Sequence, residues 1–327
     1  MPEDTPPDEL AAARAWFARR TYAASANAAD ELTKLKAGRR VSVILPARDE
    51  EPTIGAIIET IRTRLVETSG MVDEIVVIDS RSTDRTAEVA FAAGAIVHPV
   101  GDEALADGGK GAAMQAGVHH MSGDLGVFLD ADVVDFGVDF VLALLAPMLR
   151  DPDLVLVKGF YDRPWNGSAG GDSTPRPTGG GRVTELVARP LIHRRSPALS
   201  AFAQPLSGEC AFRRDALFPL PFVSGYGVEI GILLQLLEHH GLDAMAQADL
   251  GVRLHRHQEL DALGRMALQV AAAFDLCLDG RDEVVDTRTL IRRRADGALG
   301  LAQEDVTTRL LPSALGRMDR EDPRGEA

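Results

Sequence analysis

The chain has 327 residues, 45% of them hydrophobic, with 35 basic against 49 acidic side chains and a formal net charge of −14. That length allows one large domain or two moderate ones with an ample core. A surface so acidic argues against nucleic acid or an anionic membrane as partner.

Cys210 and Cys277 are the only cysteines. They form no metal-ligand or redox motif, so a reducing cytoplasm is the simplest fit. The first thirty residues hold no apolar signal-peptide core, and no run is long enough to span a membrane.

Residues 1–40 read as a helical extension, since Glu9–Arg19 and Ala24–Lys36 are rich in good helix formers. Val41–Leu45 is a strand-length apolar run ended by Pro46. The polar loop Ala47-Arg48-Asp49-Glu50-Glu51 follows, and Pro52 suits the first turn of a helix. That helix carries Ile54, Ile57, Ile58, Ile61 and Leu65 on one face. Ile75–Ile78 is a second strand, followed by Asp79-Ser80-Arg81-Ser82-Thr83-Asp84 and a helix stopping near Gly94. Ala95–His98 is a third strand, and Lys110–Met121 reads as a helix. Gly126–Leu129 is a fourth strand, with Asp130-Ala131-Asp132 where it ends.

Leu154–Phe160 is a fifth strand. Asn166–Pro175 is too rich in Gly, Pro and Ser to pack and is expected as a mobile loop. Arg182–Leu186 opens a helix, and one more strand is expected near Leu250–His255. Residues 281–327 are charged and weakly periodic and read as a tail. Strands alternating with helices predict an α/β fold around a parallel sheet with right-handed crossovers.

The polar residues fall just past successive strands: Arg48-Asp49-Glu50, then Asp79-Ser80, then Asp130-x-Asp132. A parallel sheet brings such loops to one edge, where nucleotides bind. Asp-x-Asp there either holds a divalent cation together with a diphosphate or is a solvated turn. Gly108-Gly109-Lys110-Gly111 fails the phosphate-loop pattern, because Ala104 stands where its first glycine belongs and Gly111 where Ser or Thr should hold Mg²⁺. What survives is a lysine at a helix start, suited to a diphosphate or uracil, or simply solvated.

Gly181-Arg182-Val183-Thr184 joins a glycine run to a helix start, a guanidinium and a hydroxyl. This suits a small acceptor carrying phosphate or carboxylate, or is an ordinary helix entry. Glu229, after Gly225-Tyr226-Gly227, complements a helix dipole or recognises sugar hydroxyls. In Arg253-x-His255-Arg256-His257 one imidazole has the chemistry to complete an oxygen-rich metal shell, whereas each histidine taken singly reads better as a core or surface residue.

Over roughly residues 40–275 the chain resembles the glucosyl-3-phosphoglycerate synthases, retaining glycosyltransferases of GT-A fold. The resemblance rests on Val43–Ala47, Ile78-Asp79-Ser80, Gly109-Lys110-Gly111, Asp130-x-Asp132, Gly181–Pro190, Gln204–Glu209, Gly225–Glu229 and Asp249–Arg253. It implies transfer of glucose from UDP-glucose to 3-phosphoglycerate with retention of the α configuration, dependent on Mg²⁺ with Mn²⁺ as alternative, by a homodimer. It also implies a nucleotide-sugar-binding half over 41–160 and an acceptor-binding half over 161–280.

The positions matching the family's donor site are Pro46, Ala47, Glu50, Ser80, Lys110, Asp130, Ala131, Tyr226 and Glu229. Asp130 and Glu229 are its catalytic members, Asp130 touching the donor and Glu229 the sugar. Asp132 and His255 match the metal ligands, and Gly181, Arg182, Val183, Thr184, Arg253 and His257 the acceptor site. Two departures stand out. His257 replaces a common Asn near the acceptor, and Cys210 replaces an aromatic residue after Gly208-Glu209. Related enzymes use GDP-mannose and make mannosyl-3-phosphoglycerate. A sugar-1-phosphate nucleotidyltransferase or a non-catalytic nucleotide-sugar sensor would share the same nucleotide logic.

Overall fold

The structure is a computed structural model describing residues 7–23, 29–101, 108–162, 181–252, 260–293 and 297–313. Helices α1 (Pro7–Arg20) and α2 (Ala29–Lys36) flank a two-residue strand, β1 (Thr21–Tyr22). Strands β2 (Val41–Ala47), β3 (Glu74–Asp79), β4 (Ile96–Pro99) and β5 (Leu125–Phe128) alternate with helices α3 (Glu51–Ile61), α4 (Thr86–Ala92) and α5 (Gly109–His120). Next come α6 (Asp139–Arg150), β6 (Leu156–Asp162), α7 (Arg189–Arg195), β7 (Cys210–Arg213) and α8 (Arg214–Leu217). The described chain closes with α9 (Val228–His240), β8 (Met245–Val252), α10 (Leu260–Leu278), β9 (Glu283–Arg293) and β10 (Leu299–Arg309).

Eight strands form one sheet in the order β1-β8-β6-β7-β5-β2-β3-β4. Both faces are covered, which is why the central strands read as unbroken apolar runs. Along β2, Val41, Val43 and Leu45 enter the core shared with α3 and α6, while Ile44 enters the core shared with α5, α9 and α10.

The expectation of a parallel sheet needs correcting at β7, which runs antiparallel to both β5 and β6. Four residues too short to show a period make this strand, and its buried Phe212 stacks on Phe128 with ring centroids 4.8 Å apart. The reversal has a consequence for function. The start of β7 lies at the edge where its neighbours end, with Cys210 opposite Phe128 and Lys158.

Three other expectations change. Thr21 and Tyr22, read within a helical extension, pair in parallel with Gln247 and Ala248 of β8. The strand expected near Leu250–His255 begins earlier, at Met245. The stretch read as a charged tail from 281 instead holds a long antiparallel hairpin, with Glu283 opposite Arg309 and Arg293 opposite Leu299. Its inner row mixes Val284 and Val306 with Asp286, Arg288 and Thr308, so the alternation of a strand is hidden from hydropathy. The loop expected at Asn166–Pro175 lies outside the described residues.

Candidate active site

Every strand of the large sheet except β7 points the same way, so β2, β3, β5, β6 and β8 end on one edge. Pro46 and Ala47 lie there opposite Ile78 and Asp79, and the Ser80 amide donates to the Ala47 carbonyl at 2.8 Å. Glu50, half-buried, follows, its amide donating to Thr86 Oγ1 at 2.8 Å. The Thr53 hydroxyl donates to the Ala131 carbonyl at 2.7 Å, tying the start of α3 to the Asp-x-Asp turn. These residues lie together at the carboxyl edge of the sheet, the edge where α/β folds bind ligands.

Two glycine loops bring the charged groups together. The Gly225 amide donates to the Gly108 carbonyl at 2.8 Å, and Gly109 and Gly225 both have positive φ, +48° and +63°. A Cβ on Gly111 would stand 2.0 Å from the Val223 carbonyl oxygen, so only glycine allows this approach. The first turns of α5 and α9 therefore meet, with Lys110 on one and Glu229 on the other.

Lys110 Nζ lies 2.9 Å from Glu229 Oε1 and 2.9 Å from Asp130 Oδ1. Glu229 is only 4% exposed. Burial alone would depress the Lys110 ammonium, but the charges and hydrogen bonds of Asp130 and Glu229 outweigh it and hold Lys110 well above a lysine's ordinary pKa. Lys110, Asp130 and Glu229, named from sequence for the donor site, thus form one cluster.

Asp132 stands two residues beyond Asp130, half-buried. Among the described residues no group of three or more His, Cys, Asp or Glu could hold a metal ion alone. The Asp-x-Asp oxygens nevertheless fit Mg²⁺ or Mn²⁺, because such ions are held by one or two carboxylates plus substrate phosphates. His255, with Arg253 and His257, lies outside the described residues, just after the end of β8.

Gly181 to Thr184 open a helical run over 182–195, with Arg182 exposed and Val183 and Thr184 buried. That run packs on α10. Tyr226 lines a cavity with Asp261, Arg265 and Arg288.

Sequence reasoning did not single out three supports of this site: Thr53, Gly208 and Gln269. Gln269, buried on α10, accepts the Tyr226 amide at 3.0 Å. A Cβ on Gly208 would stand 2.4 Å from Asp130 Oδ1 and 2.6 Å from Lys110 Nζ. Gly208 carried a signal, since it falls in a quoted motif; Thr53 and Gln269 carried none.

Residues 42–208 match the model of glycosyl transferase family 2. The chain belongs to that family, among the glucosyl-3-phosphoglycerate synthases. Within this family it is 47% identical to the glucosyl-3-phosphoglycerate synthase of Mycolicibacterium paratuberculosis, over 79% of this chain and 78% of that one.

Among solved structures, mannosyl-3-phosphoglycerate synthase from Rubrobacter xylanophilus matches with TM-score 0.78 at 35% identity, covering 92% of this chain and 96% of that one. The Mycobacterium tuberculosis glucosyl-3-phosphoglycerate synthase holding Mn²⁺, UDP-glucose and phosphoglyceric acid matches with TM-score 0.75 at 39% identity, covering 90% and 98%. A further structure of that tuberculosis synthase contains Mg²⁺ and UDP. The mixed eight-stranded sheet flanked by helices is accordingly the GT-A-like fold of this family.

Proposed function

We propose that this protein transfers glucose from UDP-glucose to 3-phosphoglycerate with retention of the α configuration, using Mg²⁺ or Mn²⁺. The observation that carries the reading is the Lys110–Asp130–Glu229 cluster at the strand ends, in a chain 47% identical to a glucosyl-3-phosphoglycerate synthase. Residues 41–160 take the donor and 161–280 the acceptor. Pro46, Ala47, Glu50 and Ser80 line the nucleotide's path, and Lys110 offers a fixed positive charge to the diphosphate. Glu229 and Asp130 orient the glucose. Gly181 to Thr184, with Arg253 and His257, hold the acceptor.

Asp132 and His255 would hold the metal ion, which supplies neutralisation of the charge growing on the leaving diphosphate. The acceptor hydroxyl attacks the anomeric carbon from the side the diphosphate leaves. The new C–O bond forms as the C–O bond to phosphate breaks, and the departing phosphate oxygen takes the hydroxyl proton. The reading includes a homodimer in a reducing cytoplasm, which the free thiols of Cys210 and Cys277 fit. The likeness to the Rubrobacter enzyme keeps one second reading, transfer of mannose from GDP-mannose.

The test is nucleoside diphosphate release by purified protein with Mg²⁺ and 3-phosphoglycerate. UDP release from UDP-glucose only when the acceptor is present is the expected result. Preference for GDP-mannose would establish the second reading, and no acceptor-dependent release from either donor would overturn both. Asp132→Ala should abolish the metal-dependent turnover; a fully active variant would remove Asp132 from the metal site.

A further inference from the structure

Lys158 stands within β6, a strand whose neighbours are Leu156, Val157 and Gly159, and is 3% exposed. A methionine would fill such a place without the cost of burying an ammonium. The ammonium has a specific task. Its Nζ donates to the Ser207 carbonyl at 2.7 Å. The Ser207 hydroxyl donates to Glu209 Oε2 at 2.8 Å, and the Gly159 amide donates to the Glu209 carbonyl at 2.8 Å. β6 therefore grips the Ser207-Gly208-Glu209 turn at both ends.

The residue between those grips is Gly208, pressed so closely on the Lys110–Asp130 pair that a Cβ would overlap both partners. Lys158 thus acts one residue away from the cluster that meets the donor. The charge balance points the same way. Lys110 pairs with Asp130 and Glu229, Glu209 is bonded within the turn that Lys158 grips, and a bound diphosphate adds further negative charge. Burial pulls the Lys158 ammonium below a lysine's ordinary pKa, and a bound diphosphate nearby favours its charged form.

We propose that Lys158 is a positioning residue for glucosyl transfer, holding the Ser207–Gly208 turn against Lys110 and Asp130 so that the donor's sugar and diphosphate meet a preset geometry. The proposal rests on the function read above.

The experiment compares wild type, Lys158→Gln and Lys158→Met. Lys158→Gln keeps a hydrogen-bond donor without the charge, whereas Lys158→Met keeps little more than the volume. Near-UV circular dichroism establishes folding, calorimetry gives UDP-glucose affinity with Mg²⁺, and steady-state rates give kcat and KM. Lys158→Met should lose about 100-fold in kcat, the scale of a displaced reacting group. Lys158→Gln should lose roughly tenfold, with the KM for 3-phosphoglycerate unmoved in both. Folded variants that melt lower yet keep wild-type kcat and donor affinity would make the lysine merely structural and overturn the proposal. If Lys158→Met does not fold, the same criterion applied to Lys158→Gln decides. An inactive wild type overturns the functional reading and this one with it, whereas an active wild type with unaffected variants overturns only the role of Lys158.

Discussion

Lys110 carries one positive charge between two carboxylates, one of them almost wholly out of water. Removing one partner of a buried ion cluster is costly, because it leaves an uncompensated charge. Lys110→Met should therefore destabilise the fold by about 3 kcal/mol at neutral pH, read from urea midpoints. The pH dependence has a definite sign. Lys110 is raised in the folded state, so its contribution is complete below the unfolded value of about 10.4 and is lost as pH rises through the higher folded value. The gap between wild type and Lys110→Met should stay flat from about pH 6 to pH 9 and narrow above about pH 10. A gap that already narrows by pH 8 would mean the lysine is not held as the geometry shows. These three residues stood out in the sequence through local patterns, two aspartates after a strand or a charged group at a helix start, and the family resemblance is what assigned them to the donor. Lys158 and Gln269 did not stand out, because their partners lie far along the chain. Lys158 reaches Ser207 and Gln269 reaches Tyr226, 49 and 43 residues away in sequence, and no spacing rule spans that.

Helix α1 shows the same limit at the next scale. It was legible as a helix from its composition, but not as part of the core. Trp16 is 0% exposed, its ring centroid lies 4.5 Å from that of Phe202, and its indole NH is shared by the carbonyls of Leu242 and Met245 at 2.9 and 3.0 Å. Arg20 adds an ion pair to Asp151 at 2.5 Å. An extension attached this way is an integral layer over the sheet. Trp16→Ala should cost about 3–5 kcal/mol, the range for emptying a large aromatic site in a core. Urea unfolding followed by far-UV circular dichroism measures it, and a silent substitution would show α1 to be a loose appendage. Strands β2, β3 and β5 were readable because burial on both faces writes a continuous apolar run into the sequence. Strand β7 was too short for a period, β1 shorter still, and the inner row of the β9–β10 hairpin is too polar for its alternation to show in hydropathy.

Across the whole molecule, the hairpin's far end is joined by the backbone to the segment before the Lys110–Glu229 pair. The Ser224 amide donates to the Arg309 carbonyl at 2.9 Å, the Arg309 amide donates to Ser224 Oγ at 3.0 Å, and the Leu311 amide donates to the Phe222 carbonyl at 2.7 Å. Residues 222–224 run straight into Gly225–Gly227, and that loop sets Glu229 against Lys110. A segment that composition alone marks as a tail thus braces the backbone that leads into the Gly225–Gly227 loop. Leu311 is 3% exposed and packs in the same core as Phe222 and Val223. Leu311→Ala should cost about 2–3 kcal/mol in stability, since it empties a buried aliphatic site at the margin of the core. Leu311→Ala should also have a second effect that a remote core position would not produce. Loosening residues 309–311 frees residues 222–224, the glycine loop loses one of its two backbone anchors, and the Lys110–Glu229 contact is held less firmly. UDP-glucose affinity in the folded variant should fall about tenfold, a loss of about 1.4 kcal/mol. Calorimetry below the variant's unfolding temperature separates the two effects. Affinity equal to wild type, in a protein shown to be destabilised, would mean that the hairpin supports the core without shaping the site.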